Sequence, residues 1–503
     1  MSDNRLNHRN QRYIIKRLII HGNLILDTPT CLGDGDADDL IDLMVLRDSI
    51  SDHALLTGSS IAGALRSYLF DYNNELNLDI ILFGGRRQDD DGDQSPLIIN
   101  DSISSKPIQS ELRDGVKIDS KTRTVDPNAR AKYDLELLQP GTEFPLSFEL
   151  LIDKNHNEQE LINALAIALQ GLEPKNGSQS GEISLGMKKR RGFGQCHVKQ
   201  WQVWYFNLED AKERMAWLKF EHWRTDLFTE DIKSIQEAFT QAKINVNFDE
   251  LSKKDQRNIF TIHATFNLAT PLLIRSGHSE TGKAPDVVHL KSYRSEQKKA
   301  VPVLPGTSLA GVLRHRSERI LNTLGKPATI IDDIFGPDAT DKTKPAKASR
   351  LIVHESVIEN AADLVQTRIA IDRFTGGAYH GALFQEQPIF PNNKTKLVLK
   401  LELRNPKEYE IGLLLLLLKD LWTSDLPVGG TSSIGRGRLK GKCATITDKD
   451  QQWKITKDEN GVHVSNPHNS LQSDTDLKQE LQDNFVAKLV NYVEEKKHEQ
   501  SDS

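Results

Sequence analysis

The feature that most constrains the fold is a nine-residue pattern that occurs twice. The stretch "GSSIAGALR" begins at Gly58 and "GTSLAGVLR" begins at Gly306, so both follow G-[ST]-S-[LI]-A-G-[VA]-L-R. A pattern repeated at a domain-sized separation indicates a chain built from two copies of one structural unit. The 503 residues are enough for two such units, each with its own core.

Four further pairs of similar segments follow in the same order in both halves. Each pair is separated by about 250 residues. The pairs are "LFGG" at Leu82 with "IFGP" at Ile334, "SPLIINDS" at Ser95 with "SRLIVHES" at Ser349, "KIDSKTRT" at Lys117 with "AIDRFTGG" at Ala370, and "LGMKKRRGFGQ" at Leu185 with "GGTSSIGRGRL" at Gly429. These matches predict a tandem duplication of a unit of about 190 residues, which is a domain-sized length.

The hydrophobic patterns of the two units also agree. An alternating apolar stretch opens each unit, a helical pattern follows the repeated segment, and later come strand, apolar helix, glycine-rich turn and strand. This β-α-β-β-α-β order predicts an α+β fold of two tandem ferredoxin-like (RRM-like) domains with long insertions. The predicted limits are a first domain over 1–205, a helical linker over 206–257, a second domain over 258–447, and a C-terminal strand pair and helix over 448–503.

Composition restricts the function classes only weakly. The net charge of −6 gives no global basic field, but a groove can be basic on an acidic protein. Three dispersed cysteines indicate a reducing compartment rather than a disulfide scaffold or a cysteine zinc site. The start of the chain lacks the apolar region of a signal peptide, and the run at 411–422 is too short to cross a membrane. A cytoplasmic protein without membrane contact is therefore expected.

Each unit carries a glycine-rich turn with basic residues. Glycine lets the backbone approach a phosphate closely, and Arg or Lys supplies charge-assisted hydrogen bonds. Either turn alone is typical of a solvated surface loop. Because both follow a helix and precede a strand, we predict that they contact RNA, with an aromatic ring of the first turn stacking on a base. The predicted contacts are Lys188, Lys189, Arg190, Arg191, Phe193, Arg436 and Arg438.

The first unit contains an acidic stretch, "CLGDGDADDLIDLMVLRDS", from Cys31. A calcium-binding EF-hand loop requires Gly at its sixth position and Glu at its twelfth. Those positions hold Asp39 and Val45, so the stretch is not an EF-hand.

The ordered set of motifs resembles the RAMP superfamily, and more narrowly the backbone subunits of type III CRISPR effector complexes. The motifs are G-S-S-x-x-G-x-L-R, F-G, R-L-I, I-D-R and the glycine-rich loop, and the resemblance covers about four-fifths of the chain. The two-unit arrangement is similar to the tandem backbone proteins of type III-D systems. The resemblance implies two RAMP domains in an RNA-guided antiviral complex, whose partners are guide RNA, target single-stranded RNA and other type III effector subunits.

The resemblance also implies that the two repeated helix starts lie along the guide RNA. A helix start exposes N–H groups at the positive end of the helix dipole, which is suited to a phosphate. A capped helix that packs closely through Gly63 and Gly311 would need no ligand, and both interpretations can hold. The implied contacts are Gly58, Ser59, Ser60, Arg66, Thr307, Ser308 and Arg314.

The same resemblance points to one catalytic aspartate in each unit. "LIDLMVLRD" matches the family pattern I-D-x-x-V-x-[KR]-D and indicates Asp42. The second unit has "APDVVHLKS", which indicates Asp286 but lacks the preceding Ile and the following Asp. An RNA 2′-hydroxyl aligned in line with the scissile bond can attack the phosphorus, and a carboxylate can position Mg²⁺ or accept the proton. Mg²⁺, or another divalent cation, is expected at Asp42 and Asp286, with His289 as an additional candidate acid.

A hairpin after each I-D segment resembles the thumb of these subunits, which inserts between bases. "FTGGAYHGALF" over 374–384 has a glycine turn and apolar side chains suited to a wedge. The first unit has basic residues there instead, at Lys121, Arg123, Arg130 and Lys132. A long variable hairpin with exposed aromatic residues is the alternative.

Three functions are consistent with the sequence. The leading hypothesis is a backbone subunit that binds guide RNA and cleaves target RNA as a metal-dependent endoribonuclease. The first alternative is a non-catalytic RNA-binding backbone. The second is a guide-RNA-processing nuclease, which would use a histidine near the first strand, and His8, His21 and His53 are available.

Overall fold

The computed structural model describes residues 13–34, 43–85, 94–119, 122, 124–125, 132–175, 178–224, 232–276, 285–338, 343–380, 383–459, 461–467 and 473–493. The helices are α1 Gly58–Tyr72, α2 Leu78–Phe83, α3 Glu158–Gln170, α4 Ala211–Lys219, α5 Ile235–Gln241, α6 Phe248–Ser252, α7 Gly306–Leu324, α8 Thr329–Phe335, α9 Glu408–Trp422, α10 Asp474–Leu481 and α11 Ala487–Val490. The strands up to the second unit are β1 Ile14–Leu26, β2 Leu55–Leu56, β3 Leu97–Ile99, β4 Ser102–Ile103, β5 Ser110–Val116, β6 Lys132–Leu138, β7 Glu143–Asp153 and β8 Cys196–Asn207. The later strands are β9 Ile259–Leu268, β10 Arg275–Ser276, β11 Val287–His289, β12 Lys291–Arg294, β13 Lys299–Leu304, β14 Leu351–Val353, β15 Ser356–Glu359, β16 Ala362–Asp363, β17 Gln366–Arg368, β18 Phe384–Gln387, β19 Ile389–Phe390, β20 Lys396–Arg404, β21 Leu439–Asp448, β22 Gln451–Asp458 and β23 Gly461–Ser465.

The first unit is an antiparallel sheet with helices on one face. Its strand order is β3-β7-β1-β8, and β1 pairs with β7 so that Ile20 lies opposite Phe148. Burial alternates along β7, because successive side chains of a strand point to opposite faces. The buried face packs against α1 and α3 and forms the first core.

The second unit repeats this arrangement. Its central strands follow the order β14-β20-β9-β21, and Ile262 of β9 lies opposite Leu401 of β20. Further strands extend this sheet, with β22 and β23 on one side and β15, β13 and β12 on the other. The mixed α/β structure with antiparallel sheets confirms the predicted fold class, and the element order is consistent with a ferredoxin-like arrangement.

The first part of the linker packs on the outer face of the first sheet, whereas α5 adds Ile235 and Phe239 to the first core. The Arg17 guanidinium lies 4.6 Å from the centre of the Trp217 ring, which also contacts Phe206. The Glu173 carboxylate accepts a hydrogen bond from the backbone N–H of Ile235, the first residue of α5. The strand β8 ends at Asn207, two residues beyond the predicted end of the first domain. The predicted domain limits stay predictions.

Two general expectations can be compared with the structure. Cys31, Cys196 and Cys443 are all free thiols, as expected without a disulfide scaffold. Within the described part of the chain, every helix is too short or too polar to cross a bilayer.

Candidate nucleic-acid interface

The two repeated helix starts share their position but not their surroundings. In α1 the Thr57 side chain accepts a hydrogen bond from Ser60 N, and the Gly58 N–H donates to the Asp101 carboxylate at 2.7 Å. Ser59 and Ser60 are exposed. The start of α7 follows Pro305 and has no side-chain cap, and Thr307 and Ser308 are half-buried.

The glycines that allow close approach are the first ones of the motif. A Cβ placed at Gly58 would lie 2.3 Å from the carbonyl oxygen of Ile99, and one at Gly306 would lie 2.1 Å from that of Val353. The sequence-based expectation of close packing through Gly63 and Gly311 is wrong, since a Cβ at either meets no described atom within 4 Å.

The arginine that ends each repeated motif stabilises the F-G turn of its own unit. Arg66 donates to the carbonyl of Gly84 at 3.0 Å, and Arg314 donates to the carbonyl of Gly336 at 2.7 Å. Arg314 also forms an ion pair with Asp332 at 3.2 Å. Both guanidinium groups therefore have internal partners, and a phosphate would compete with them.

The first glycine-rich turn is folded against the protein. Phe193 is only 2% exposed and lies in a small apolar cluster with Leu135 and Leu137, so its ring presents no free face to a base. Lys188 donates to the Tyr133 hydroxyl at 2.7 Å, with its ammonium 4.0 Å from the centre of that ring. Neither side chain is placed as a free RNA contact.

Three cations of this turn are crowded at the junction with the second unit. Burial, together with the neighbouring Arg404, lowers the pKa of Arg190 to about 10. Burial and nearby Arg314 lower the pKa of Arg191 to about 10, and burial and Arg190 also lower the pKa of Lys189. Desolvated like charges disfavour the charged form, so an anion bound beside them would be strongly stabilised.

The basic residues of the second turn are used internally. Arg436 is buried and donates to the Glu386 carboxylate at 2.9 Å and to the Gln366 side-chain oxygen at 2.8 Å. Arg438 donates to the carbonyl of Ser424. These contacts stabilise the turn and the neighbouring hairpin, so the predicted phosphate contacts would have to replace them.

The residues that follow the two candidate aspartates, Leu43 and Val287, are equivalent in topology. Asp42 lies outside the described residues, but the next residue, Leu43, pairs in parallel with Leu135 on the returning strand of the β5–β6 hairpin. In the second unit the residue after Asp286 is Val287, which pairs in parallel with Glu386 on the returning strand β18. Both positions therefore adjoin the base of a hairpin.

Asp286 is exposed, and its environment sets what it can bind. One carboxylate oxygen accepts a hydrogen bond from the backbone N–H of Gln385 at 2.7 Å. The matching basic residues form ion pairs in both units, Arg47 with Glu136 at 2.7 Å and Lys291 with Asp363 at 2.5 Å.

The described residues contain no cluster of three or more metal-ligating His, Cys, Asp or Glu side chains. Mg²⁺ is commonly held by one or two carboxylates, with waters and substrate phosphates completing its coordination. Asp286 fits that mode as a single ligand and does not form a metal site by itself.

His289 has a structural role instead of the suggested acidic one. It is 3% exposed, its Nδ1 accepts from Ile274 N at 3.1 Å, and its Nε2 donates to the carbonyl of Val303 at 3.1 Å. Burial lowers the pKa of His289 to about 4, which leaves it neutral near pH 7. The suggestion that it supplies a proton to RNA is therefore wrong.

The histidines considered for guide-RNA processing are also engaged. His21 is buried, and its Nε2 contacts the carbonyl of His222 at 3.1 Å. Nδ1 of His53 contacts the carbonyl of Ser104 at 2.7 Å, and His8 lies outside the described residues. Neither His21 nor His53 is therefore paired with a carboxylate, whereas His197 on the neighbouring strand β8 contacts the Asp27 carboxylate at 2.8 Å.

The two hairpins are built on the same turn. The Asp119 carboxylate accepts from Thr122 N in the first, and the Asp372 carboxylate accepts from Phe374 N in the second. Phe374 is fully exposed and so suits the predicted wedge. Of the basic residues predicted in the first hairpin, Lys132 is exposed, whereas those at 121, 123 and 130 lie outside the described part.

Comparison with known proteins agrees with the duplication. A family model of the RAMP superfamily matches residues 23–197 and 265–440. Each matched region begins within the first strand of its unit and ends within the last one, β1 and β8 in the first unit and β9 and β21 in the second. No curated protein matches the chain significantly.

Proposed function

Because the chain belongs to the RAMP superfamily, we propose that it is a two-unit backbone subunit of a type III, III-D-like, CRISPR effector complex. Family membership implies a CRISPR-associated RNA-binding subunit. The proposal adds that the chain binds guide RNA together with other subunits of a cytoplasmic complex and cleaves the bound target RNA.

The observation that carries the proposal is the matching position of the two aspartates. Each precedes a residue that pairs in parallel with the returning strand of a hairpin. A hairpin that inserts an exposed apolar side chain such as Phe374 between bases would splay the target strand. Splaying aligns a 2′-hydroxyl with the neighbouring phosphorus–oxygen bond, and such alignment supplies a large part of the rate enhancement.

The aspartate would then act on the aligned phosphate. Bound Mg²⁺ would stabilise the negative charge that develops on the phosphate oxygens. The Asp286 carboxylate, with one oxygen fixed by Gln385 N–H, would hold the ion or accept the hydroxyl proton through its other oxygen. Asp42 would have the same role in the first unit.

Guide RNA would be held by backbone contacts rather than by reading of its bases, since pairing with the target supplies the sequence information. The best-placed groups are the exposed Ser59 and Ser60 and the crowded cations Lys189 and Arg190. Thr307 and Ser308 are additional candidates at the second helix start.

The test is target cleavage by the complex assembled on guide RNA, with Asp42→Asn, Asp286→Asn and the double variant. Each single variant is expected to remove one set of cuts, and the double variant to lower cleavage by at least about 100-fold. Asp476→Asn, a change of an exposed acid on the C-terminal helix, is the matched control. Full cleavage by the double variant would defeat the nuclease proposal.

One observation favours the alternative of a non-catalytic backbone. Asp286 belongs to no group of three or more metal-ligating residues among the described ones, and its segment departs from the family pattern. If only Asp42→Asn reduces cleavage, the second unit is the non-catalytic one.

A further inference from the structure

The two units of the chain meet through a contact that uses the first glycine-rich turn. A Cβ placed at Gly192 would lie 2.6 Å from the backbone nitrogen of Glu355 in the second unit. The carbonyl oxygen of Arg191 would lie 2.3 Å from a Cβ at Gly306, at the start of α7. The turn of one unit therefore seats directly on the helix start of the next.

A buried ionic clamp fixes the same contact. Arg113, on hairpin strand β5 of the first unit, pairs with the fully buried Glu355 at 2.7 Å. Arg294 of the second unit binds the other oxygen of Glu355, and Glu111 pairs with Arg113 at 2.7 Å. All four charges are thus neutralised within the junction, as buried charges must be.

The second unit has the same turn, but no described atom packs against its glycine. Gly435 has the same φ of 85° as Gly192, but a Cβ there meets no described atom within 4 Å. Ile434, which occupies the position of Arg191, is 53% exposed. A backbone geometry that allows close approach is therefore repeated at the far end of the chain, where the described residues leave it uncovered.

The clamp residues change at this far end. Leu135 and Glu386 are equivalent, because each pairs in parallel with the residue that follows a candidate aspartate. Arg113 lies opposite Leu135 and Gln366 lies opposite Glu386, so Gln366 takes the position of Arg113. Two residues before Gln366, Leu364 replaces Glu111 and is exposed. The free turn likewise has serines where the first has Lys189 and Arg190. The residues that contact across the inner junction are therefore charged, whereas their counterparts here are uncharged, and Arg436 of this turn is buried and paired with Glu386.

If a second copy of the chain docked here, the surface that its first unit presents would not match this face. In the repeated segments "SPLIINDS" and "SRLIVHES", Asp101 takes the position of Glu355. Docking of a second copy would place Asp101 against Gln366 and beside Arg436, whose charge Glu386 already neutralises, so a carboxylate would be buried without a countercharge of its own, which is strongly unfavourable. Ile50 takes the position of Arg294, so this surface of the first unit also lacks the second cation.

We propose that the turn over 431–437, together with Leu364 and Gln366, is a docking face for a different subunit of the same fold. That partner presents a helix start like that of α7, with an uncharged residue at the position of Glu355. The inference rests on the proposed assembly of the chain into a multi-subunit complex.

The test uses the complex assembled on guide RNA, purified through a tag on this chain and weighed by native mass spectrometry. Ile434→Glu places a charge among the uncharged residues of this face and is expected to lower the occupancy of one neighbouring subunit at least about tenfold. Met215→Glu changes a side chain of similar exposure on α4 and is expected to leave every occupancy unchanged. Unchanged subunit composition with Ile434→Glu would overturn the proposal.

Three additional measurements separate the explanations. Leu364→Glu changes the hairpin part of the same face, so loss of the same subunit would exclude misfolding of the turn as the cause. Light scattering of the full chain alone is expected to give a monomer, and oligomers that Ile434→Glu disrupts would assign the face to a second copy and overturn the choice of partner.

RNA content is measured in the purified complexes. A chain that never carries RNA contradicts the proposed function, whereas RNA retained beside a lost subunit supports the docking face.

Discussion

The two glycine-rich turns have the same backbone conformation and opposite surroundings. Gly192 faces the backbone of the second unit, whereas Gly435 faces no described atom within 4 Å. The residues before these glycines differ accordingly, with Lys189, Arg190 and Arg191 in the first turn and Ser432, Ser433 and Ile434 in the second. The comparison shows that a duplicated motif can keep its geometry while each copy adapts to a different neighbour.

The largest expected effect comes from the buried clamp at the inner junction. Glu355→Gln leaves Arg294 without its buried countercharge and Arg113 with Glu111 alone, and loss of one partner of a buried pair costs about 3–5 kcal/mol. Asp101→Asn, at the matching exposed position, should cost less than about 1 kcal/mol. Urea unfolding measures the free energy of unfolding of both variants. Equal losses would contradict the different environments described for Glu355 and Asp101.

The same clamp predicts a loss of stability in acid. Burial alone would raise the pKa of Glu355, but Arg113 and Arg294 outweigh it and hold the pKa below its ordinary value of 4.5. Its stabilising contribution is therefore complete above pH 4.5 and declines as the pH falls through the lowered pKa. Glu355→Gln should remove that part of the pH dependence.

A smaller effect is expected when alanine replaces the two matching glycines. At φ 85° alanine is strained at both positions, by about 1 kcal/mol. Gly192→Ala should lose about 1–3 kcal/mol more, because its Cβ collides with the backbone of Glu355. Thermal unfolding of the two variants gives the difference directly, and similar values for both would contradict the described junction.

The contact between Glu173 and helix α5 of the linker predicts a pH effect of about 1–3 kcal/mol on stability. Burial raises the pKa of Glu173 to about 7 in the folded chain, above its ordinary value of 4.5. Folding therefore favours the protonated form, so stability should fall as the pH rises from 4.5 to 7 and stay lower above that. Hydrogen exchange in α5 at pH 5 and pH 8 reports the change, which Glu173→Gln should abolish.

The smallest effect concerns RNA binding by the first turn. Arg190→Ala removes one crowded cation and should weaken guide-RNA binding by about 3- to 10-fold, with a shallower salt dependence. Ser433→Ala, at the matching position of the second turn, should have no effect. Filter binding over a salt series distinguishes them, and an unchanged salt slope for Arg190→Ala would exclude a phosphate contact.

The sequence predicted the local features of each unit well. Hydrophobic periodicity and the ordered repeats were sufficient for the α+β class, the two units and the element order, because these depend on patterns within each segment. The equivalence of Asp42 and Asp286 was also derived, by aligning one repeat with the other. The parallel pairing of Leu43 and Val287 with their hairpins supports it.

Contacts between distant segments could not be predicted in the same way. Phe193 looked like a base-stacking residue, but its burial depends on residues more than 50 positions away. The arginines of the repeated motif bind glycine carbonyls about 20 residues later, which no local pattern indicates. One signal was present in the sequence: the three basic residues before Gly192 are replaced by uncharged ones before Gly435.

The most direct test of the central claim is a cryo-EM structure of the complex with guide RNA and a target carrying 2′-deoxy nucleotides at the cleavage sites. The account predicts that Asp42 and Asp286 each lie within about 5 Å of a different target phosphate, close enough for one Mg²⁺ to bridge them. Both carboxylates more than about 10 Å from every target phosphate would contradict it.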